Sequence, residues 1–386
     1  MYEALYLHIP FCRKRCAYCD FTTEALPPDD PAMDAYLAAL MSEIRQAAKR
    51  GELAAIRTIY LGGGTPTHLG HARLVELAYL LALNLKVEKV EEYTLEANPE
   101  SLTAKMVNDL FALGVNRLSL GVQSFVDSEL ETLGRIHDAA AAIRAAGEAR
   151  ARFENISLDL MCGIPGQTTA SWQYSLEQAL ALNPEHLSIY PLQIEEGTEL
   201  GQRDGAWCPN LLSRANWGTK PRPSAPQLPD EDEQAEFMEQ AARFLQAHGY
   251  HRYEVASYAK PGFESRHNTA YWQGTPYLGL GTAAASMSNL PDGTRQRSKN
   301  GEEPEFLTAE EACAEDLFLA MRMARGICEE QLKQASKLLP RAQEVFSELE
   351  QLELISHQDG RYLPTDKGWL LGNELYGRIW QLAGKI

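Results

Sequence analysis

Ala4-Leu5-Tyr6-Leu7-His8-Ile9-Pro10-Phe11-Cys12-Arg13-Lys14-Arg15-Cys16-Ala17-Tyr18-Cys19-Asp20-Phe21 is an apolar run that delivers three cysteines in the spacing C-x-x-x-C-x-x-C. A short run of this composition predicts a strand, with the cysteines on the loop that follows it. Three thiolates are one short of the set that closes a tetrahedral zinc site or a ferredoxin-type cluster. They suit an iron-sulfur cluster with one iron left open to a small molecule. Zinc and a disulfide are the competing readings. The odd count of seven cysteines, the acidic balance and the lack of a signal-peptide pattern argue for a reducing cytosol and against the disulfide.

Working outward, 386 residues allow one large α/β domain and a smaller second one. Lys and Arg number 36 against 53 for Asp and Glu, and the net charge of −17 opposes general attraction to nucleic acid or anionic lipid. No apolar run reaches the length of a membrane span. A cytoplasmic protein is expected, with peripheral contact at a membrane and homodimer formation left open.

Short β-branched or aromatic runs at 5–9, 58–61, 93–96, 117–120, 156–161 and 187–190 alternate with helical patterns at 34–49, 72–83, 104–113, 139–152 and 171–182. Ser101 and Thr168 stand where caps are wanted. Six strands joined by helical crossovers predict a parallel sheet, a partial (β/α)6 barrel over residues 1–206. Every chemically suggestive motif falls just after a strand, where such a barrel builds its active site. A Pro-rich insertion follows over 207–229. A barrel-flanking region over 230–305 starts with an acidic helix at 230–247 and continues through a Gly- and aromatic-rich stretch. The segment 306–386 reads as a smaller, mostly helical, winged-helix-like domain, with a helix at 341–352, a hairpin at 354–363 and a helix at 366–382. Its acidic excess ranks DNA binding below a packing or partner-binding role.

After the second strand comes Leu61-Gly62-Gly63-Gly64-Thr65-Pro66-Thr67, which lacks the Gly-Lys-Ser/Thr ending of a phosphate loop. Paired with the three cysteines, it resembles the glycine loop with which radical S-adenosylmethionine enzymes receive the cofactor's amino group. The likeness narrows over His8-Ile9-Pro10-Phe11-Cys12, Glu96-Ala97-Asn98-Pro99, Gly121-Val122-Gln123-Ser124-Phe125 and Asp159-Leu160-Met161-Cys162-Gly163-Ile164-Pro165-Gly166. Together these motifs resemble the family of oxygen-independent coproporphyrinogen III oxidases and their HemW-type relatives. The resemblance implies a [4Fe-4S] cluster on Cys12, Cys16 and Cys19, with S-adenosylmethionine at the open iron. It places Tyr6 and Tyr18 beside the cluster and cofactor, Gly63, Gly64 and Thr65 in the binding loop, and Glu96, Gln123, Arg135 and Asp159 at cofactor contacts.

Two features separate the branches of that family. Phe21 stands where the oxidases carry a fourth cysteine, and eleven residues precede Cys12 where the oxidases have a long extension. His267-Asn268-Thr269-Ala270-Tyr271-Trp272 reproduces the HNxxYW pattern of the HemW-type haem chaperones. The resemblance therefore implies a protein that binds haem, with His267 as axial ligand, and delivers it to haem-requiring proteins such as respiratory enzymes. The rival is oxidative decarboxylation of coproporphyrinogen III to protoporphyrinogen IX. Whether S-adenosylmethionine is cleaved is left open, and Cys162, Cys208, Cys313 and Cys328 receive no role.

Overall fold

The computed structural model describes residues 1–202 and 228–384. Six strands, β1 Ala4–Ile9, β2 Thr58–Gly63, β3 Glu92–Ala97, β4 Arg117–Gln123, β5 Asn155–Cys162 and β6 His186–Pro191, pair in parallel in that order. Their side chains alternate between two faces. One face carries Leu5, Leu7, Ile59, Leu61, Leu118, Leu120, Leu158, Leu160, Leu187 and Ile189, all buried in the main core. The crossover helices are α1 Pro31–Lys49, α2 His71–Asn84, α3 Ala104–Ala112, α4 Ala139–Arg150 and α5 Thr169–Ala181, which add Leu37, Leu77, Val107, Ala145 and Leu176 to the same core.

Asp30, Thr103, Asp138 and Thr168 cap the starts of α1, α3, α4 and α5 by accepting from backbone N–H groups of the first turn. Thr103, not Ser101, caps α3, because a cap must immediately precede the first helical residue. Ser101 instead donates to Asn98 O and bonds Thr67 Oγ1 at 2.6 Å.

Along the other face the strands carry Tyr6, His8, Thr58, Tyr60, Glu96, Arg117, Ser119, Asp159, His186 and Ser188. Cross-strand bonds such as Tyr60 to Glu96, Ser119 to Asp159 and Ser157 to His186 place these side chains inside the curve of the sheet. A parallel sheet that only packed would be apolar on both faces. This one carries a polar inner face whose side chains bond one another across strands.

The sheet runs beyond six strands. β7 Ser257–Ala259 pairs antiparallel with β6, and β8 Tyr277–Leu280 pairs in parallel with the free side of β1. β9 Ala285–Asn289, β10 Arg295–Lys299 and β11 Glu305–Leu307 continue antiparallel from β8, giving a sheet of 12 strands with the short His251–Arg252 strand at its far edge. The acidic helix α6 is Glu231–Ala247, and a short helix α7, Arg266–Trp272, lies between β7 and β8. The Pro-rich stretch at 207–229 falls outside the described residues except for its last two positions.

A second core gathers Leu317, Ile327, Leu332, Phe346, Leu349, Ile355, Leu375 and Ile379. Its elements follow the winged-helix order: α8 Ala309–Ala320, β12 Ile327–Cys328, α9 Glu329–Ala335, α10 Ala342–Gln351, then the hairpin β13 Ile355–Gln358 and β14 Arg361–Pro364. The single helix expected over 366–382 is broken. Leu371 leaves helical dihedrals (φ −99°, ψ 36°) between helices Asp366–Leu370 and Gly372–Trp380. Among the described residues no helix is long and apolar enough to cross a membrane.

Candidate functional site

Cys12 ends a two-residue strand, Phe11–Cys12, which pairs with Glu24–Ala25 and so folds the cysteine loop back on itself. The loop is tied down on the far side by Ala17, whose N–H donates to Leu133 O at 2.9 Å and whose carbonyl accepts from Leu200 N at 2.7 Å. Cys12, Cys16 and Cys19 are all free thiols and partly buried. Burial pushes the Cys12 thiol up to about 11, and Cys19 is raised for the same reason. Two of the three sulfurs accept hydrogen bonds from neighbouring loops: Thr65 Oγ1 donates to Cys12 Sγ and Arg135 Nη1 to Cys16 Sγ, each at 3.4 Å. Such donors suit sulfurs that carry charge. Among the described residues no three His, Cys, Asp or Glu side chains converge on a single metal ion. A cluster bound at three separate irons does not require that convergence.

The glycine loop docks against the cysteine loop. Gly64 N and Thr65 N donate to Ile9 O and Phe11 O, both at 2.8 Å, and Gly63 N donates to Glu96 Oε2 at 3.1 Å. At Gly63, with φ +115°, a Cβ would lie 2.5 Å from the His8 ring, and at Gly64 it would lie 2.7 Å from Phe11 O. Only glycine fits this approach. With these N–H groups engaged, the loop suits a ligand that donates, such as an ammonium, better than an anion.

Glu96 sits at the end of β3 between the Tyr60 hydroxyl, 2.6 Å from Oε1, and Gly63 N. Burial pushes its carboxyl up to about 7, with Asp159 adding to the rise and Tyr60, Gly63 and Arg117 opposing it. Tyr6 stacks on Tyr60 and bonds His8 Nδ1 at 3.0 Å. Asp159 accepts from Ser119, and its carboxyl is raised by burial against the pull of Arg117. Tyr18 packs beside Arg135 and the apolar cluster of Ala17, Leu133 and Ile164, and burial raises its hydroxyl.

Gln123 lies at a bulge, where the register of β4 on β5 shifts, and takes φ +68°. Its side-chain amide has no hydrogen-bond partner among the described residues. Arg135 follows the short helix Asp127–Thr132 rather than lying on a helix, and it is committed inward: Nη2 donates to Asn98 Oδ1 at 2.8 Å and to Gly121 O at 2.7 Å. Its Nε is buried without a hydrogen-bond partner among the described residues. The structure thus brings together, at the carboxyl ends of the strands, the three cysteines, Tyr18, Gly63, Gly64, Thr65, Glu96, Gln123 and Arg135, with Tyr6 and Asp159 below them on the inner face at mid-strand.

His267 is not among them. It lies on α7 beneath the opposite ends of the strands, where Nδ1 bonds Oγ1 of Thr58, the first residue of β2, at 2.9 Å. Thr58 is five residues from Gly63, about 16 Å along a strand. Nε2 bonds the Tyr271 hydroxyl at 3.0 Å, the ring stacks on Tyr60, and the residue is 1% exposed. Burial holds its imidazole down at about 3, so it is neutral. The expected open axial ligand is closed here, with both ring nitrogens engaged. Glu92 fixes the helix by accepting from Arg266 N and His267 N, a carboxylate at a helix start.

Sequence reasoning missed Tyr60 and Arg117 and gave Asn98 no role. Asn98 was visible within Glu96-Ala97-Asn98-Pro99, and Tyr60 shares the inner face with Gly62 by strand alternation. Arg117 is 1% exposed, with Nε and Nη1 lacking hydrogen-bond partners. Phe21, at the position of the missing fourth cysteine, is 68% exposed.

The curved parallel sheet and its cysteine loop are those of the Radical SAM superfamily, whose family model matches residues 6–179, and the HemN C-terminal domain model matches residues 307–371. The chain is 34% identical to the "Heme chaperone HemW" of Bacillus subtilis strain 168, covering 97% of this chain and 98% of that one. It is 37% identical to the protein of the same name in Escherichia coli strain K12, over 78% of this chain and 74% of that one. By these relatives the chain belongs to the HemW family. Among solved structures, the coproporphyrinogen III oxidase HemN of Escherichia coli shares the fold, with a TM-score of 0.76 at 22% identity over 99% of this chain and 90% of that one.

Proposed function

We propose that the protein is a haem-handling member of its family, which binds haem and passes it to a haem-requiring protein while carrying a [4Fe-4S] cluster and S-adenosylmethionine. The observation that carries this reading is the full-length likeness to the Bacillus subtilis heme chaperone, together with this chain's own HNxxYW helix.

Cys12, Cys16 and Cys19 would hold the cluster. The donors aimed at two of the sulfurs and the orphaned Nε of Arg135 support that fit. The open iron supplies a coordination position for the amino and carboxylate groups of S-adenosylmethionine. Around it, Glu96 accepts from an ammonium, Gln123 offers its unengaged amide, and Asp159 accepts from hydroxyls. Tyr6 and Tyr18 wall the site. Haem ligation by His267 carries a condition: Thr58 or Tyr271 must release a ring nitrogen, which means α7 opens at the barrel floor.

The test is a haem titration of the purified chain followed by absorbance. The parent develops a Soret band, and His267→Ala weakens binding by about tenfold or more, roughly 1.4 kcal/mol. Thr58→Val keeps the imidazole and frees Nδ1, so it binds haem more tightly than the parent. A parent with no haem spectrum, or His267→Ala and Thr58→Val both indistinguishable from it, overturns the reading.

A further inference from the structure

We infer that Asn98 is a positioning residue that couples two of the three cluster cysteines and thereby sets the cluster's reduction potential. The inference rests on the cluster reading above. Asn98 Nδ2 donates to Thr65 Oγ1 at 3.0 Å, and Thr65 Oγ1 donates to Cys12 Sγ at 3.4 Å. Asn98 Oδ1 accepts from Arg135 Nη2 at 2.8 Å, and Arg135 Nη1 donates to Cys16 Sγ at 3.4 Å. One amide therefore joins the ends of β2 and β3 and the loop after β4 to two sulfurs of a single loop.

The chemistry explains why an amide stands here. A hydroxyl has one proton, so Thr65 points it at Cys12 only if its other neighbour donates to it. The guanidinium needs an acceptor to hold Nη1 toward Cys16. A carboxamide offers the donor at one end and the acceptor at the other, and only one orientation serves both sulfurs. Gly121 leaves it room, since a Cβ there would lie 2.9 Å from Asn98 Oδ1. Cys19 is served separately, by Phe21 N–H and Thr23 within its own loop.

Donors to thiolate sulfur stabilise the more negative, reduced cluster and raise its potential. Freeing Thr65 and Arg135 removes that stabilisation.

The test is a reductive titration of the anaerobically reconstituted full chain with dithionite, followed by visible absorbance, with iron and sulfide counted per chain. Asn98→Ala keeps the cluster and moves its midpoint to more negative potential. Thr65→Val is isosteric and covers the case in which Asn98→Ala does not fold. It shifts the midpoint the same way, and the double variant shifts it by less than the sum. A parent that forms no cluster overturns the cluster reading and this inference together. A parent with a cluster, and variants that share its midpoint, overturn this inference alone.

Discussion

Glu96 is the residue whose charge state matters most to the site, because two opposed requirements meet on one carboxyl. Its inward position, which lets it accept from an ammonium, also raises its pKa from 4.5 to about 7 by burial. A carboxyl raised on folding keeps a proton that the unfolded chain has lost. The associated stability is therefore full below pH 4.5, declines as pH rises toward 7, and is gone above it. Glu96→Gln removes the buried charge. At pH 8 and without ligand the variant is more stable than the parent by a few kcal/mol, on the order of the shift itself, and the gap closes toward pH 5. Urea midpoints at pH 5, 6, 7 and 8 measure this. Binding runs the other way: S-adenosylmethionine binds the parent more tightly as pH rises through 7, and binds Glu96→Gln weakly at every pH. Parallel urea and binding profiles for the two proteins would rule this out.

At the scale of elements, the bulge in β4 shows strain kept at a site. Gln123 holds φ +68°, a region that costs a residue with a Cβ roughly 1 kcal/mol or more. Gln123→Gly relieves the backbone and deletes the amide. The variant melts a few degrees above the parent and binds S-adenosylmethionine more weakly; a lower melting temperature would contradict the strain argument. The six strands were legible in the sequence to within three residues at each end, since each alternates between an apolar outer and a polar inner face. β8 was not: Tyr277-Leu278-Gly279-Leu280 is four residues long and sits among glycines, so it offers no periodicity to read. The candidate site residues were legible through the family motifs, most of which fall at strand ends. Asn98 stood out in its motif but carried no role, because an Asn before a Pro reads equally well as a turn. His267 was legible as a motif, but its burial depends on β2 and β3, which the motif does not mention.

In the whole molecule, the barrel and the C-terminal domain have separate apolar cores and meet through ion pairs, cation–π contacts and a backbone bridge between Glu254 and Met323. Arg295 on β10 is 2% exposed and pairs with Glu315 at 2.5 Å and Asp316 at 2.6 Å on α8. Arg322, just past α8, lies 5.2 Å over the Trp272 ring of α7, so the helix that carries His267 is held between the two parts. Removing one member of a buried ion pair costs about 3–5 kcal/mol, because the partners keep their charge without their counter-ion. Glu315 keeps Arg297 as a counter-ion and Asp316 is half exposed, so Arg295→Ala loses less than that, and its calorimetric trace splits into two transitions where the parent shows one. An unchanged trace would mean the domains are held by other contacts. The position of β1 has a consequence for biosynthesis. Ala4 faces Thr58 on one side and Tyr277 on the other, so the strand that carries the cysteine loop leaves the ribosome roughly 270 residues ahead of its second neighbour. Until then one row of its backbone groups is unpaired, the kind of long-range closure that folds slowly and exposes an edge. The loop that comes early in translation is buttressed late, and metal loading onto a settled loop belongs to the finished chain rather than the nascent one.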